Sequence, residues 1–170
     1  MLARTLRTLP LLALVTATGA WAQQFPTKPV TMIVPFAAGG PTDTVARSVA
    51  QAMQTTLKQT VLVENVGGAG GTIGVARVAR ANPDGYTILM YHIGMSTVPA
   101  LYRKLTFDPL KDFAYIGLVN EVPMTLIARG NFPANNFKEF LAYIKANKAK
   151  ITYANAGLGA ASHLCGLLFM

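Results

Sequence analysis

The sequence predicts an α/β fold built on a mainly parallel sheet. Short β-branched apolar runs alternate with segments of helical periodicity. Glycine-containing loops separate several of those runs from the helix that follows. Crossovers between such strands are expected to be right-handed.

The elements follow in order. Val30-Thr31-Met32-Ile33-Val34-Pro35 reads as a buried strand, stopped by Pro35 and the glycines beyond it. Pro41-Thr42-Asp43 opens a helix, because proline suits the first turn and Thr and Asp complement its free N–H groups. Val45, Val49, Ala52, Met53 and Leu57 give that helix its apolar face. Thr60 to Glu64 is a second strand, and Asn65 to Gly71 a flexible glycine loop. A helix is predicted over Ile73–Ala81, with Val75, Val78 and Ala79 inward. Asn82-Pro83-Asp84-Gly85 is a turn, and Tyr86 to Tyr91 a third strand. Pro99 to Leu105 is read as a short helix. Tyr115 to Asn120, Met124 to Arg129 and Ile151 to Tyr153 are read as further strands. Phe137 to Asn147 is an amphipathic helix, and another begins near Ser162.

The ends of the chain carry their own signals. Arg4 and Arg7, the apolar stretch Leu9 to Ala17 and the Ala20-Trp21-Ala22 pattern read as a secretory signal peptide, residues 1–22. A spanning anchor is the lesser reading, since it needs about 20 apolar residues. The charge of +8 includes two leader arginines, so the mature 148 residues carry +6. No basic stripe is interleaved with aromatics, which argues against nucleic acid as a partner. The last helix stops inside an apolar run without a cap, so the chain is expected to be a fragment of a longer protein. One cysteine excludes an internal disulfide framework, and with two histidines it makes a structural zinc site a poor reading.

Two loops attract attention as binding sites. They are Phe36-Ala37-Ala38-Gly39-Gly40-Pro41-Thr42-Asp43 and Ala156-Gly157-Leu158-Gly159-Ala160-Ala161-Ser162-His163. Each runs from a predicted strand into a helix, where ligands bind in open α/β sheets. Backbone N–H groups and a helix N-terminus there attract an anion. The plainer reading is a tight strand–helix turn. Asp43 reads more as a first-turn acid than as a ligand contact, and Cys165 more as a small core residue than as a nucleophile. His92 follows the third strand and can line the cleft, though a lone histidine is more often structural. The Gly157 loop is a near miss to a dinucleotide fingerprint, and Ser162-His163 invites comparison with a hydrolase. Neighbours on one helix point in different directions, which weakens the second idea.

These residues resemble the Bug/TctC family of periplasmic solute-binding receptors. The resemblance runs from about Phe25 to Met170 and rests on segments in order. They include Val34-Pro35-Phe36-Ala37-Ala38-Gly39-Gly40-Pro41-Thr42-Asp43, Val63-Glu64-Asn65, Gly68-Ala69-Gly70-Gly71, Pro83-Asp84-Gly85-Tyr86-Thr87 and Asp108-Pro109-x-Lys111-Asp112-Phe113. It implies a type II periplasmic-binding-protein (Venus flytrap) fold, of which lobe one (23–122) and the beginning of lobe two (123–170) are present. It also implies no enzymatic activity and no cofactor. The expected partners are a small carboxylate ligand and the integral-membrane permease subunits of a tripartite tricarboxylate transporter, and the expected location is the periplasm. Carried over to this sequence, the ligand-binding candidates are Phe36, Ala37, Ala38, Gly39, Gly40, Thr42, Asp43 and His92 from lobe one. Gly159, Ala160, Ala161 and Ser162 are those of lobe two. Ala160 and Ala161 stand where the family often has a hydroxyl. The alternative reading is an exported α/β hydrolase-like enzyme acting on an acyl or carboxylate substrate.

Overall fold

The computed structural model describes residues 25–170, so the expected signal peptide lies outside the described residues. Three parallel strands form the sheet, in the order β2-β1-β3: β1 (Val30–Val34), β2 (Val61–Asn65) and β3 (Thr87–Leu89). Val30 of β1 lies opposite Val61 of β2, and Thr31 opposite Thr87 of β3. Helix α1 (Pro41–Leu57) connects β1 to β2, and α2 (Thr72–Ala79) connects β2 to β3.

Strand β1 is the centre of the molecule because both of its faces are covered, as its near-continuous apolar sequence requires. Val30, Met32 and Val34 pack with Ala46 and Ala50 of α1 and Val61 of β2. A second core joins Val75 and Ala76 of α2 to Val98 and Phe107, with Leu89 of β3 against it. Alanines line the middle of the α1 face, which lets helix and sheet approach closely. That face is centred on Ala46 and Ala50, flanked by Val49, Met53 and Leu57, while Ala52 is exposed. It is thus turned slightly from the predicted stripe.

Three further helices follow: α3 (Gly94–Leu101), α4 (Phe137–Ala146) and α5 (Ala161–Phe169). Helix α3 begins five residues before the expected Pro99 and carries that proline inside. Proline in the second half of so short a helix loses little, since its missing N–H is one bond of few. Asn136 caps α4 by accepting from the Glu139 amide, and Glu139 in turn accepts from the Asn136 side chain.

Several expectations fail, each for a physical reason. Residues 115–120, 124–129 and 151–153 are not strands, because no described segment supplies the hydrogen-bonded partner a ladder needs. Their apolar side chains stand in solvent: Ile116 is 89% exposed and Ile127 86%. Cys165 is exposed rather than packed, since no described element covers that side of α5. The Asn65–Gly71 loop is not loose either. It closes into a 3₁₀ turn at Ala69–Gly71, with Gly70 and Gly71 buried.

Candidate functional site

In the strand order β2-β1-β3, the chain leaves β1 for one side and later returns past it to the other. The carboxyl ends of β1 and β3 therefore flank a topological switch point, where α/β sheets bind ligands. Two predicted residues meet there. Phe36, just beyond β1, stacks on His92, just beyond β3, with ring centroids 4.5 Å apart. Tyr91 stacks on both, 5.6 Å from Phe36 and 4.8 Å from His92.

The first glycine loop is organised from below by Asp43. This carboxylate is 2% exposed. It accepts from Arg47 Nε at 2.9 Å, from the Gly39 amide at 2.7 Å and from Asn65 Nδ2 at 2.9 Å. The Arg47 guanidinium first, then the Gly39 amide and Asn65, hold its pKa down at about 2. Asn65 also donates to the Phe36 carbonyl, tying the end of β2 to the end of β1. Gly39, at φ +80°, supplies the left-handed turn that brings its amide back to Asp43. The amides of Gly39 and Gly40 are thus engaged within the loop, the second on the Ala37 carbonyl. Ala37 and Ala38 are exposed at its tip, and Thr42 sits in the first turn of α1. Gly40 caps α1 without a side-chain bond, so the helix N-terminus stays open to an anion.

His92 is half-buried, and burial lowers its pKa. Its Nδ1 accepts from the Gly94 amide at 3.0 Å. The ring is therefore neutral with its proton on Nε2, a hydrogen-bond donor.

The second glycine loop packs elsewhere on the same rim. Gly159 and Ala160 are buried, and Ala161 and Ser162 half-buried. Ser162 Oγ accepts from the Ala156 amide at 2.9 Å, which leaves its hydroxyl proton free to donate. His163 Nδ1 accepts from the Gly159 amide. Ser162 and His163 make no hydrogen bond to each other among the described residues, so the hydrolase pairing gains nothing. The loop rests on Gly70 and α3. Thr97 Oγ1 donates to the Gly159 carbonyl at 3.1 Å, and the Tyr102 hydroxyl lies 3.0 Å from the Leu158 carbonyl. A Cβ on Gly70 would collide with the Leu158 carbonyl, so only glycine admits this approach.

The two loops are thereby linked through a short chain of contacts. Phe36 stacks on Tyr91, and the Tyr91 hydroxyl donates to the Gly70 carbonyl at 2.8 Å. Burial pushes the Tyr91 pKa up to about 12, which keeps that donor protonated. The sequence reading passed over Asn65, Tyr91, Thr97 and Tyr102. Asn65 and Tyr91 had a signal, since Asn65 ends β2 and Tyr91 follows β3, both at the same edge as Phe36. Thr97 and Tyr102 had none, because their partners are carbonyls of a loop about sixty residues away.

A parallel sheet whose switch point carries a glycine loop and an open helix N-terminus defines a class, the small-ligand-binding α/β proteins. Comparison narrows it. Residues 45–169 match the family model of the tripartite tricarboxylate transporter family receptor, and the chain belongs to that family. It is 54% identical over 144 residues to a UPF0065 protein from the TAR-I ttuE-ttuC' intergenic region of Agrobacterium vitis, covering 85% of this chain and 42% of that protein. The structure of periplasmic binding protein BugD superposes with a TM-score of 0.83 at 61% identity, covering 85% of this chain and 48% of that one. MatC from Rhodopseudomonas palustris, solved with bound malate, gives a TM-score of 0.80 at 44% identity, covering 85% and 50%. The fold is therefore that of the periplasmic binding proteins, and the chain spans less than half the length of the curated relatives it matches. The family is one of transport receptors rather than enzymes.

Proposed function

We propose that this chain is the amino-terminal part of an extracytoplasmic receptor that captures a small carboxylate between two lobes. Residues 23–122 belong to lobe one, and residues 123–170 begin lobe two. The receptor hands its ligand to the integral-membrane permease subunits of a tripartite tricarboxylate transporter. The observation that carries this reading is the open N-terminus of α1 at the switch point, in a loop whose Phe36 stacks on His92.

The ligand-holding groups are the Phe36–Asp43 loop, His92 and the Gly159–Ser162 loop. Asp43 serves in this reading as the organiser of the first loop, not as a ligand contact. Ala37, Ala38, Thr42 and Ser162 lie nearest the ligand. A micromolar complex needs about 8 kcal/mol. Each hydrogen bond to a charged group supplies roughly 1.5–3 kcal/mol, and a helix terminus about 0.3–1 kcal/mol, before the cost of immobilising the ligand. Two or three contacts from one loop fall short, so both loops must engage. The malate held by MatC supports a dicarboxylate as the ligand class.

A thermal-shift screen of the full-length protein against dicarboxylates, tricarboxylates, aromatic acids and amino acids tests the reading. Stabilisation confined to carboxylates of one class supports it. Melting temperatures unmoved by every acid would refute it.

A further inference from the structure

We propose that Thr97 and Tyr102 form a releasable latch that sets the position of the Gly157–Ser162 loop relative to lobe one. The inference rests on the two-lobe reading above and adds two positioning residues to it.

Each of these hydroxyls has one proton and faces two carbonyls. The Tyr102 hydroxyl lies 2.7 Å from the Ala69 carbonyl and 3.0 Å from that of Leu158. Thr97 Oγ1 lies 3.3 Å from the Gly94 carbonyl and 3.1 Å from that of Gly159. The pattern is the same twice. One acceptor is local, on α3 or on the glycine turn after β2. The other belongs to the distant loop. A hydroxyl can donate to only one of its two acceptors at a time.

The consequence is thermodynamic. Breaking a hydrogen bond is costly chiefly when it leaves a donor without a partner. Here neither donor is orphaned when the loop leaves, because each proton turns to its local carbonyl. The Leu158 and Gly159 carbonyls then become accessible to water. Closing restores the two loop bonds. The latch therefore biases the closed arrangement slightly without locking it, as a receptor that must both capture and release requires. Gly70 makes the close approach sterically feasible, and the Tyr91 hydroxyl holds the Gly70 carbonyl in place.

Tyr102→Phe and Thr97→Val remove the hydroxyls with little change of shape, in the full-length protein. Two readouts are needed. The first is amide hydrogen exchange without ligand, which does not depend on knowing what is bound. Exchange across residues 155–160 is expected to quicken several-fold in each variant, while β1 and α1 keep their protection. Unchanged exchange in the loop would overturn the latch, whether or not any carboxylate binds. The second readout is the dissociation constant for malate, or for whichever acid stabilises the parent best. Weakening of about three- to tenfold, mostly through faster dissociation, is expected. Faster exchange with unchanged affinity would overturn the positioning role. A parent that binds no carboxylate would refute the receptor reading, and the exchange experiment would still decide the latch. Variants that lose protection in β1 as well would show Thr97 and Tyr102 to be general supports of the fold, which also overturns the proposal.

Discussion

At the residue scale, the site depends on a buried carboxylate. Asp43 is ionised with its acceptors turned inward, toward Arg47, Gly39 and Asn65. Its folded pKa, about 2, lies below the ordinary carboxylate value, so its contribution to stability is present above that ordinary value. That contribution is lost as pH falls toward about 2. Asp43→Asn puts a donor where Arg47 and the Gly39 amide both donate. We expect it to lower the melting temperature by a constant amount at neutral pH, with the gap from the parent closing below about pH 4. Melting curves across pH check this, and a gap that stays constant into strong acid would contradict it. His92 behaves in the same sense for a different reason. Burial lowers its pKa, and its Nδ1 must stay unprotonated to accept from Gly94. Stability should be level above about pH 6.5, the ordinary histidine value, and fall as pH drops through the lowered one. His92→Gln should flatten that profile, as melting temperatures at several pH values would record. The aromatic stack with Phe36 was not legible in the sequence, although both residues were candidates. It arises only because β3 lies beside β1, a pairing that no local pattern encodes.

At the element scale, what could be read was what is local. The first strand, α1, α2 and α4 follow from apolar periodicity and opening residues, and the structure places them within a residue or two of expectation. The apolar runs within 115–129 read as strands in the sequence because composition reports a preference for extension, whereas a strand is a pairing. The glycine turn after β2 was read as loose, since nothing local shows that Gly70 is pressed against Leu158. Gly70→Ala tests that contact. At φ +64° a Cβ is strained, and it would collide with the Leu158 carbonyl and crowd the Tyr102 hydroxyl. We expect destabilisation of at least about 1–2 kcal/mol, together with faster exchange in residues 155–160. A neutral substitution would mean that the loop does not rest there.

At the scale of the whole molecule, the described residues form a well-formed α/β core followed by a long segment of exposed apolar side chains, in a chain that spans less than half the length of its curated relatives. Leu118 and Leu168 are 82% and 89% exposed, as Ile116 and Ile127 also are. Exposed apolar surface of this kind drives association. The stretch 23–170, prepared alone, should therefore self-associate, and Ile116→Lys with Leu118→Lys should reduce this in sedimentation while leaving the core intact. A parent that sediments as a monomer would contradict the expectation. The first glycine loop presents a helix N-terminus at the switch point, and the second packs against Gly70, Thr97 and Tyr102. The central claim is that the two together hold a carboxylate. Calorimetric titration of the full-length protein with malate and related dicarboxylates tests it most directly. The account predicts saturable one-to-one binding to at least one of them, weakened by Tyr102→Phe. Absence of binding to every carboxylate at neutral pH, in a protein that melts cooperatively, would contradict it.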